Sequence, residues 1–459
     1  MVSHPFDFEI QADIFSTPDL KAVFSEKKRF SRWLAFEAAL AETQGELGII
    51  PSEAAQEIKR RATIDAMDFT AMAEAYRTGR NSLMPLIKSL RLACDNGAGE
   101  YVHYGATTQD VLDTGQIMEL RDALKIIYRD LRGLEDAVFA LASRYADTPM
   151  IARTHGQQAL PITFGFKCSV WLGEIRRHLE RLKNIVPRLL TGQLSGAVGS
   201  MAALGDQGRE VAERTLKKLG LRPATITWHT SRDIIAETSS WMALVTATLE
   251  KIANEVFELG KTETGEICEP APTGAVSSST MPHKRNPVIS QRIAVMARQV
   301  RALNLTVIEA MVHEHERDGR SLWSEWLAIP QIAIYTGTAC YYSKEIMSNL
   351  EVRPNRMLQN LKMYGDMVLS EWLLFRLGPD MGKMRAQEKL HHLIDQAVTS
   401  EKSLKNVILQ DSETSSLLRK EDLAFLDHPE KYLGLVKEII RDLLDEVSRQ
   451  RETDPEVLC

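Results

Sequence analysis

Near the middle of the chain, the stretch Ser277-Ser-Ser-Thr-Met-Pro-His-Lys-Arg-Asn-Pro287 sets a run of hydroxyls beside an imidazole, two cations and an amide. Donors this dense suit an anion held next to a nucleophile or base, because charge that develops in a reaction is best met by groups already in place. A solvated basic turn would have a similar composition. Four more short polar segments stand out: "HYGATTQD" (103–110), "RTHGQQALP" (153–161), "GQLSGAVGS" (192–200) and "HEHERD" (313–318). In the first, Gly105 frees the backbone and Thr107, Thr108 and Asp110 stand just before a helical pattern. A helix cap accounts for one hydroxyl or acid there, and the same helix start would suit an anion. In the second, His155 is either a hydrogen-bonded structural histidine or a catalytic one. In the last, His313, Glu314, His315 and Glu316 fit no usual zinc spacing, so a solvated helix or an inter-helix ion pair is expected around Arg317.

The elements that must position these segments are helices. Prolines are missing from after Pro85 to before Pro149, from after Pro223 to before Pro270, and from after Pro287 to before Pro330, which leaves room for long helices. Within the second stretch Ile234, Ile235, Trp241, Met242, Leu244, Val245, Leu249, Ile252, Val256, Phe257 and Leu259 recur every three or four residues, one broad apolar stripe. The stretches 111–146 and 165–190 read the same way, and alternating strand-like runs are rare. Helices of this length are expected to bury their stripes in a bundle. The chain has 459 residues, more than one core usually holds, so subdomains are expected. A net charge of −6 argues against a nucleic-acid surface, and five scattered cysteines indicate neither a disulfide framework nor a zinc site. The opening "MVSHPFDFEIQADIF" lacks the apolar run of a secretory signal, and no window reaches the length of a membrane span. A soluble cytoplasmic protein is expected, with "SRQRETDPEVLC" as a fraying tail.

In their order, "HYGATTQD", "RTHGQQALPITFG", "GQLSGAVGS", "SSSTMPHKRNP" and "HEHERD" resemble the conserved segments of the fumarase/aspartase superfamily over nearly the whole chain. The fourth resembles its signature G-S-S-x-M-P-x-K-x-N, with Ser277 in place of the glycine, which stiffens the backbone there. The resemblance implies an all-α fold with a long central helical bundle over 106–355 between smaller helical domains, N-terminal over 1–105 and C-terminal over 356–459. It also implies a homotetramer whose active sites are shared between subunits, and no cofactor or metal. The activity implied is β-elimination, C–N or C–O cleavage of a substituted succinate with release of fumarate. By motif position Ser278 is the general base, Lys284 and Asn286 grip the carboxylate beside the proton it removes, and Thr107 and Thr108 are carboxylate-binding hydroxyls. Thr154 and His155 lie near the leaving group, and His103, Gln291 and Arg317 complete the substrate contacts.

Within the superfamily, "IFSTPDLKAVFSEKKRFSRWLAFEAALAETQGELGIIP", "WHTSRD" and "EHERDGRSLWSEWLAIP" resemble bacterial 3-carboxy-cis,cis-muconate cycloisomerases most, then adenylosuccinate lyases. The Arg-Tyr pair with which the latter hold a nucleotide phosphate has no counterpart in "QADIFSTPDL", and their T-R-H-D segment is replaced around "YRTGRNSLMP". His155 is kept where the cycloisomerases generally lack it, and Gln291 stands where a glutamate pairs with that histidine in fumarases and adenylosuccinate lyases. An amide orients an imidazole without stabilising its cation. The mixed pattern points to a lyase on a small substituted succinate, with lactonising cycloisomerase and adenylosuccinate lyase as alternatives. A non-catalytic, crystallin-like scaffold is the alternative of another class, and the presence of Ser278 and Lys284 speaks against it.

Overall fold

Where apolar residues recur every three or four positions the chain coils, and the coils are long. In the computed structural model, which describes residues 4–8, 10–271, 280–281 and 283–458, the fold is all-α with two small antiparallel sheets. The elements used below are α1 (Glu26–Glu46), α2 (Thr108–Arg144), β1 (Pro149–Thr154), β2 (Gln157–Thr163), α3 (Phe164–Leu189), α4 (Asp233–Leu259), β3 (Ile267–Cys268), α5 (Val288–Glu309), α6 (Gly319–Ser348), β4 (Glu351–Val352), α7 (Lys383–Ser400) and α8 (Val436–Arg451). Helices α2 to α6 pack side to side in a cycle, α2 on α3, α3 on α4, α4 on α5, α5 on α6 and α6 back on α2. Their stripes make one core, to which Ile235, Trp241, Met242, Val245, Leu249, Ile252, Val256 and Leu259 of α4 all contribute. A second cluster lies between α1 and its neighbours, and a third forms around α7.

The bundle has two distinct ends. Thr114 of α2 exchanges hydrogen bonds with Gln193, just past the end of α3, and Arg317, just before α6, reaches Thr107; we call this the threonine end. At the other end β1 and β2 follow α2, Arg153 of β1 pairs with Glu266 beyond α4, and β3 pairs with β4; this is the hairpin end. Helix α2 has 37 residues, so the ends are about 55 Å apart at 1.5 Å per residue.

Three features differ from the sequence-based expectations. Helix α6 runs through Pro330, where a break was expected. Proline inside a helix costs about 3 kcal/mol, but Ala328, Ile329, Ile332 and Ala333 around it are all buried, and two isoleucines alone return roughly as much on burial. The segment "RTHGQQALP" is a hairpin rather than an open loop. His155 and Gly156 form its two-residue turn with φ of 53° and 78°, and positive φ at both positions is what a type I′ turn requires. Strand alternation there is too polar to announce itself.

The third difference is the tail. It does not fray: the side chain of Asp454 is buried, accepting from Arg176 Nη1 and Nη2 at 2.8 and 3.0 Å and from Lys183 Nζ at 2.8 Å, and it also pairs with Arg132. Tyr128 donates to the carbonyl of Pro455 at 2.6 Å, and Leu458 is buried in the main core. Asp454→Ala should therefore lower stability by about 2 kcal/mol, less than a fully orphaned buried charge costs, because Arg176 keeps Glu135 and Glu180 as partners. A thermal unfolding midpoint indistinguishable from wild type would refute the clamp.

Candidate functional site

At the threonine end, the start of α2 is assembled from segments far apart in sequence. Thr107 is the N-cap of α2 and Thr108 its first residue. Asp110, fully buried, accepts from the backbone N–H of Thr107, Ser195 and Gly196, each at 3.0 Å, and pairs with His229 Nε2 at 3.2 Å. One carboxylate so ties "HYGATTQD", "GQLSGAVGS" and "WHTSRD" together, and with four donors its buried charge is well satisfied. Arg317 lies over this start, donating to Thr107 Oγ1 at 3.1 Å and to the carbonyl of Ala197 at 2.7 Å. The segment carrying it is neither a solvated helix nor an inter-helix pair as expected. It is the non-helical connection between α5 and α6, whose Glu314 and Asp318 each pair at 2.8 Å with Arg320 in the first turn of α6.

His103 sits four residues before Thr107 with φ of 65°, and its Nδ1 lies 2.7 Å from Oε1 of Glu37 on α1. Burial alone would depress the imidazole; the Glu37 carboxylate outweighs that and holds it above its usual range, aided by the charge of Asp110. The threonine end therefore presents the Arg317 guanidinium, an imidazole held above its usual range, two threonine hydroxyls and the N–H groups of a helix start, the equipment to hold a carboxylate.

Beneath it lies a fully buried ionic cluster. Arg232 donates through Nε and Nη2 to the two oxygens of Glu325 at 2.8 and 2.5 Å, lies 3.0 Å from Asp113 Oδ1, and stacks 5.0 Å from the ring of Trp228. Burial pushes the Asp113 carboxyl up to about 6 even against Arg232. His313 stands beside the cluster, and burial followed by the Arg232 charge pushes its imidazole down. His315 is exposed. Among the described residues no group of three or more His, Cys, Asp or Glu is arranged to hold a metal ion, and no helix is long and apolar enough to cross a membrane.

At the hairpin end, Thr154 closes β1 and His155 opens the turn, both exposed. Lys284 and Asn286 lead into α5, whose first turn holds the exposed Gln291. The entry is braced: Glu269 accepts from the N–H of Ile289 at 3.1 Å and of Ser290 at 2.6 Å, while Arg285 donates to the carbonyl of Glu269 and to Glu351. Ser277, Ser278 and their neighbours lie outside the described residues.

Thus His103, Thr107, Thr108 and Arg317 come together at one end, and Thr154, His155, Lys284, Asn286 and Gln291 are at the other. Residues that the motifs did not single out are Glu37, Asp113, Arg232 and Glu325. For Glu325 the signal was a charge standing inside an otherwise apolar helical stripe, in "SLWSEWLAIP".

The profile of a family described as Lyase matches residues 15–302. The chain is 39% identical to N-acetyl-S-(2-succino)cysteine lyase of Enterococcus italicus over 97% of each chain. It is 37% identical to adenylosuccinate lyase of Methanothermobacter thermautotrophicus over 97% of this chain and 99% of that one. Among solved structures, the 3-carboxy-cis,cis-muconate lactonizing enzyme of Pseudomonas putida superposes with a TM-score of 0.88 at 36% identity, over 95% of this chain and 98% of that one.

Proposed function

Because the chain belongs to the fumarase/aspartase superfamily of lyases and cycloisomerases, we propose that it eliminates the substituent from a small substituted succinate and releases fumarate. The observation that carries this reading is the threonine end, where Arg317 and His103 flank the hydroxyls and N–H groups at the start of α2. Ser278 removes a proton from the carbon beside one carboxylate, and Lys284 and Asn286 meet the charge that builds on that carboxylate. The bond to the substituent on the adjacent carbon breaks as the double bond forms, and His155, with Thr154, supplies or orients the proton the leaving group takes up. Nitrogen and oxygen leaving groups both suit this chemistry. The relative from Enterococcus adds sulfur, and a 2-succinyl thioether is the substrate to test first.

The site is completed by other copies of the chain. Groups about 55 Å apart on one bundle meet around one small substrate when bundles lie antiparallel, one chain's threonine end against another's hairpin end. Leu305, Val312, Trp323 and Leu327 around the threonine end are mostly exposed, an apolar surface suited to such a neighbour in a homotetramer.

A lactonising reaction is the second reading, favoured by the structural likeness to the Pseudomonas putida enzyme and by Gln291, an amide where a carboxylate would support His155 as a cation. Proton NMR of the protein with N-acetyl-S-(2-succino)cysteine, adenylosuccinate and 3-carboxy-cis,cis-muconate in separate tubes tests both. The vinyl signal of fumarate from the thioether is expected. Lactone without fumarate would establish the second reading, and unchanged spectra in every tube would refute both.

A further inference from the structure

Among the histidines assigned to the site, His103 is paired with a buried carboxylate that no motif names. Glu37 is 1% exposed, its Oε1 lies 2.7 Å from His103 Nδ1, and its Oε2 has no hydrogen-bond partner among the described residues. The same face of α1 holds the next residue too: Gln44, two turns on, donates to the carbonyl of Tyr104 at 2.8 Å. Helix α1 thus grips the strained segment before α2 at two successive residues. The left-handed backbone of His103, with φ of 65°, is strained for a residue with a side chain and persists because its surroundings hold it.

With Nδ1 taken by Glu37, Nε2–H is the donor that His103 has left for a ligand, and its side chain keeps 14% exposure through which one can reach it. The charges that face this ring are Glu37 from α1 and Asp110 from α2. Asp110 is already engaged by three backbone N–H groups and His229, so Glu37 is the partner that decides the state of the ring. We propose that Glu37 and His103 form an ion pair whose outer nitrogen receives one carboxylate of the substrate, Glu37 acting as a positioning residue. This rests on the substituted-succinate reading above. A cation at this point does work that Thr107 and Thr108 alone do not, since a charge-assisted hydrogen bond is roughly twice as strong as a neutral one.

Glu37→Gln keeps the size and the acceptor and removes the charge. Deuterium exchange at the imidazole carbon, followed by peptide mass spectrometry over a pH series, reports the titration midpoint of each histidine without turnover. In the variant the His103 midpoint should fall, while that of His155 stays in place. With a substituted succinate as substrate, KM should rise several-fold at neutral pH, and the gap to wild type should narrow as pH falls and the imidazole gains its proton without Glu37. kcat should hold within about twofold, the pattern of lost binding rather than lost chemistry. Glu37→Asp should restore part of the affinity.

An unchanged His103 midpoint overturns the ion pair. A fall in kcat at constant KM, or the same loss at every pH, overturns the carboxylate-binding role. If the wild-type protein consumes no substituted succinate, the fumarate-releasing reading fails, and the His103 midpoint still decides the ion pair.

Discussion

Replacing Arg232 by methionine should cost about 3–5 kcal/mol of stability, the range found when one partner of a buried ion pair is removed. Methionine fills most of the volume and keeps contact with Trp228, so the loss is electrostatic rather than a cavity. Two carboxylates, Asp113 and Glu325, both fully buried, would be left without the guanidinium they share. The carboxyl of Asp113 already stands at about 6, above its ordinary value near 4. A raised carboxyl means that the folded state holds a proton the unfolded chain gives up, so this group's contribution to stability falls as pH rises from about 4 through 6. Without Arg232 the window extends upward. Chemical unfolding at about pH 5 and pH 8 should show Arg232→Met losing much more at the higher pH. Adding Asp113→Asn and Glu325→Gln should recover part of the loss. A variant with wild-type stability at both pH values would show that the cluster contributes nothing to holding α2, α4 and α6 together.

Ser278→Ala is expected to reduce kcat by about 10²- to 10⁴-fold, the usual worth of a positioned acid or base, with an unchanged unfolding midpoint and oligomeric state. A serine hydroxyl is a poor base in water, so its use requires a closed site rich in donors; Lys284 and Asn286 follow within the same motif. The flank is firmly set on the described side, where Glu269 braces the start of α5 and Arg285 ties to Glu269 and Glu351. Methyl in place of hydroxymethyl alters neither contact. The measurement is initial rate of fumarate release at saturating substrate, with the unfolding midpoint as control. A kcat within about twofold of wild type would remove Ser278 from the chemistry and leave the base to be found among other groups.

How much could be read before any coordinates differs by element. Helices α2, α3 and α4 were legible because their stripes are long, with no proline in α2 or α4 and Pro187 only near the end of α3, and periodicity over that length overrides any local ambiguity. Helix α6 was legible only to Pro330, since the rule for prolines is local and the burial of Ile329 and Ile332 is not. The hairpin at His155 hid behind polar residues whose strand character comes from pairing, which a single strand does not display. The polar segments were recognisable as a set, yet nothing in "HYGATTQD" says that Asp110 will bind Ser195 and Gly196, residues 85 and 86 positions away. Glu37 was invisible for the same reason. One acid on a helix is ordinary until its neighbour in space is known.

The clamp on Asp454 also sets an order of events in the life of each chain. Arg176 is synthesised 278 residues before the carboxylate that engages it, a delay of roughly half a minute at about 10 residues per second. Throughout that interval α2 and α3 exist on the ribosome with Arg132, Arg176 and Lys183 lacking one shared counter-charge. The final closure of the bundle therefore waits for nearly the whole chain, and a chain interrupted shortly before residue 454 is left with three cations where the finished protein has a seam.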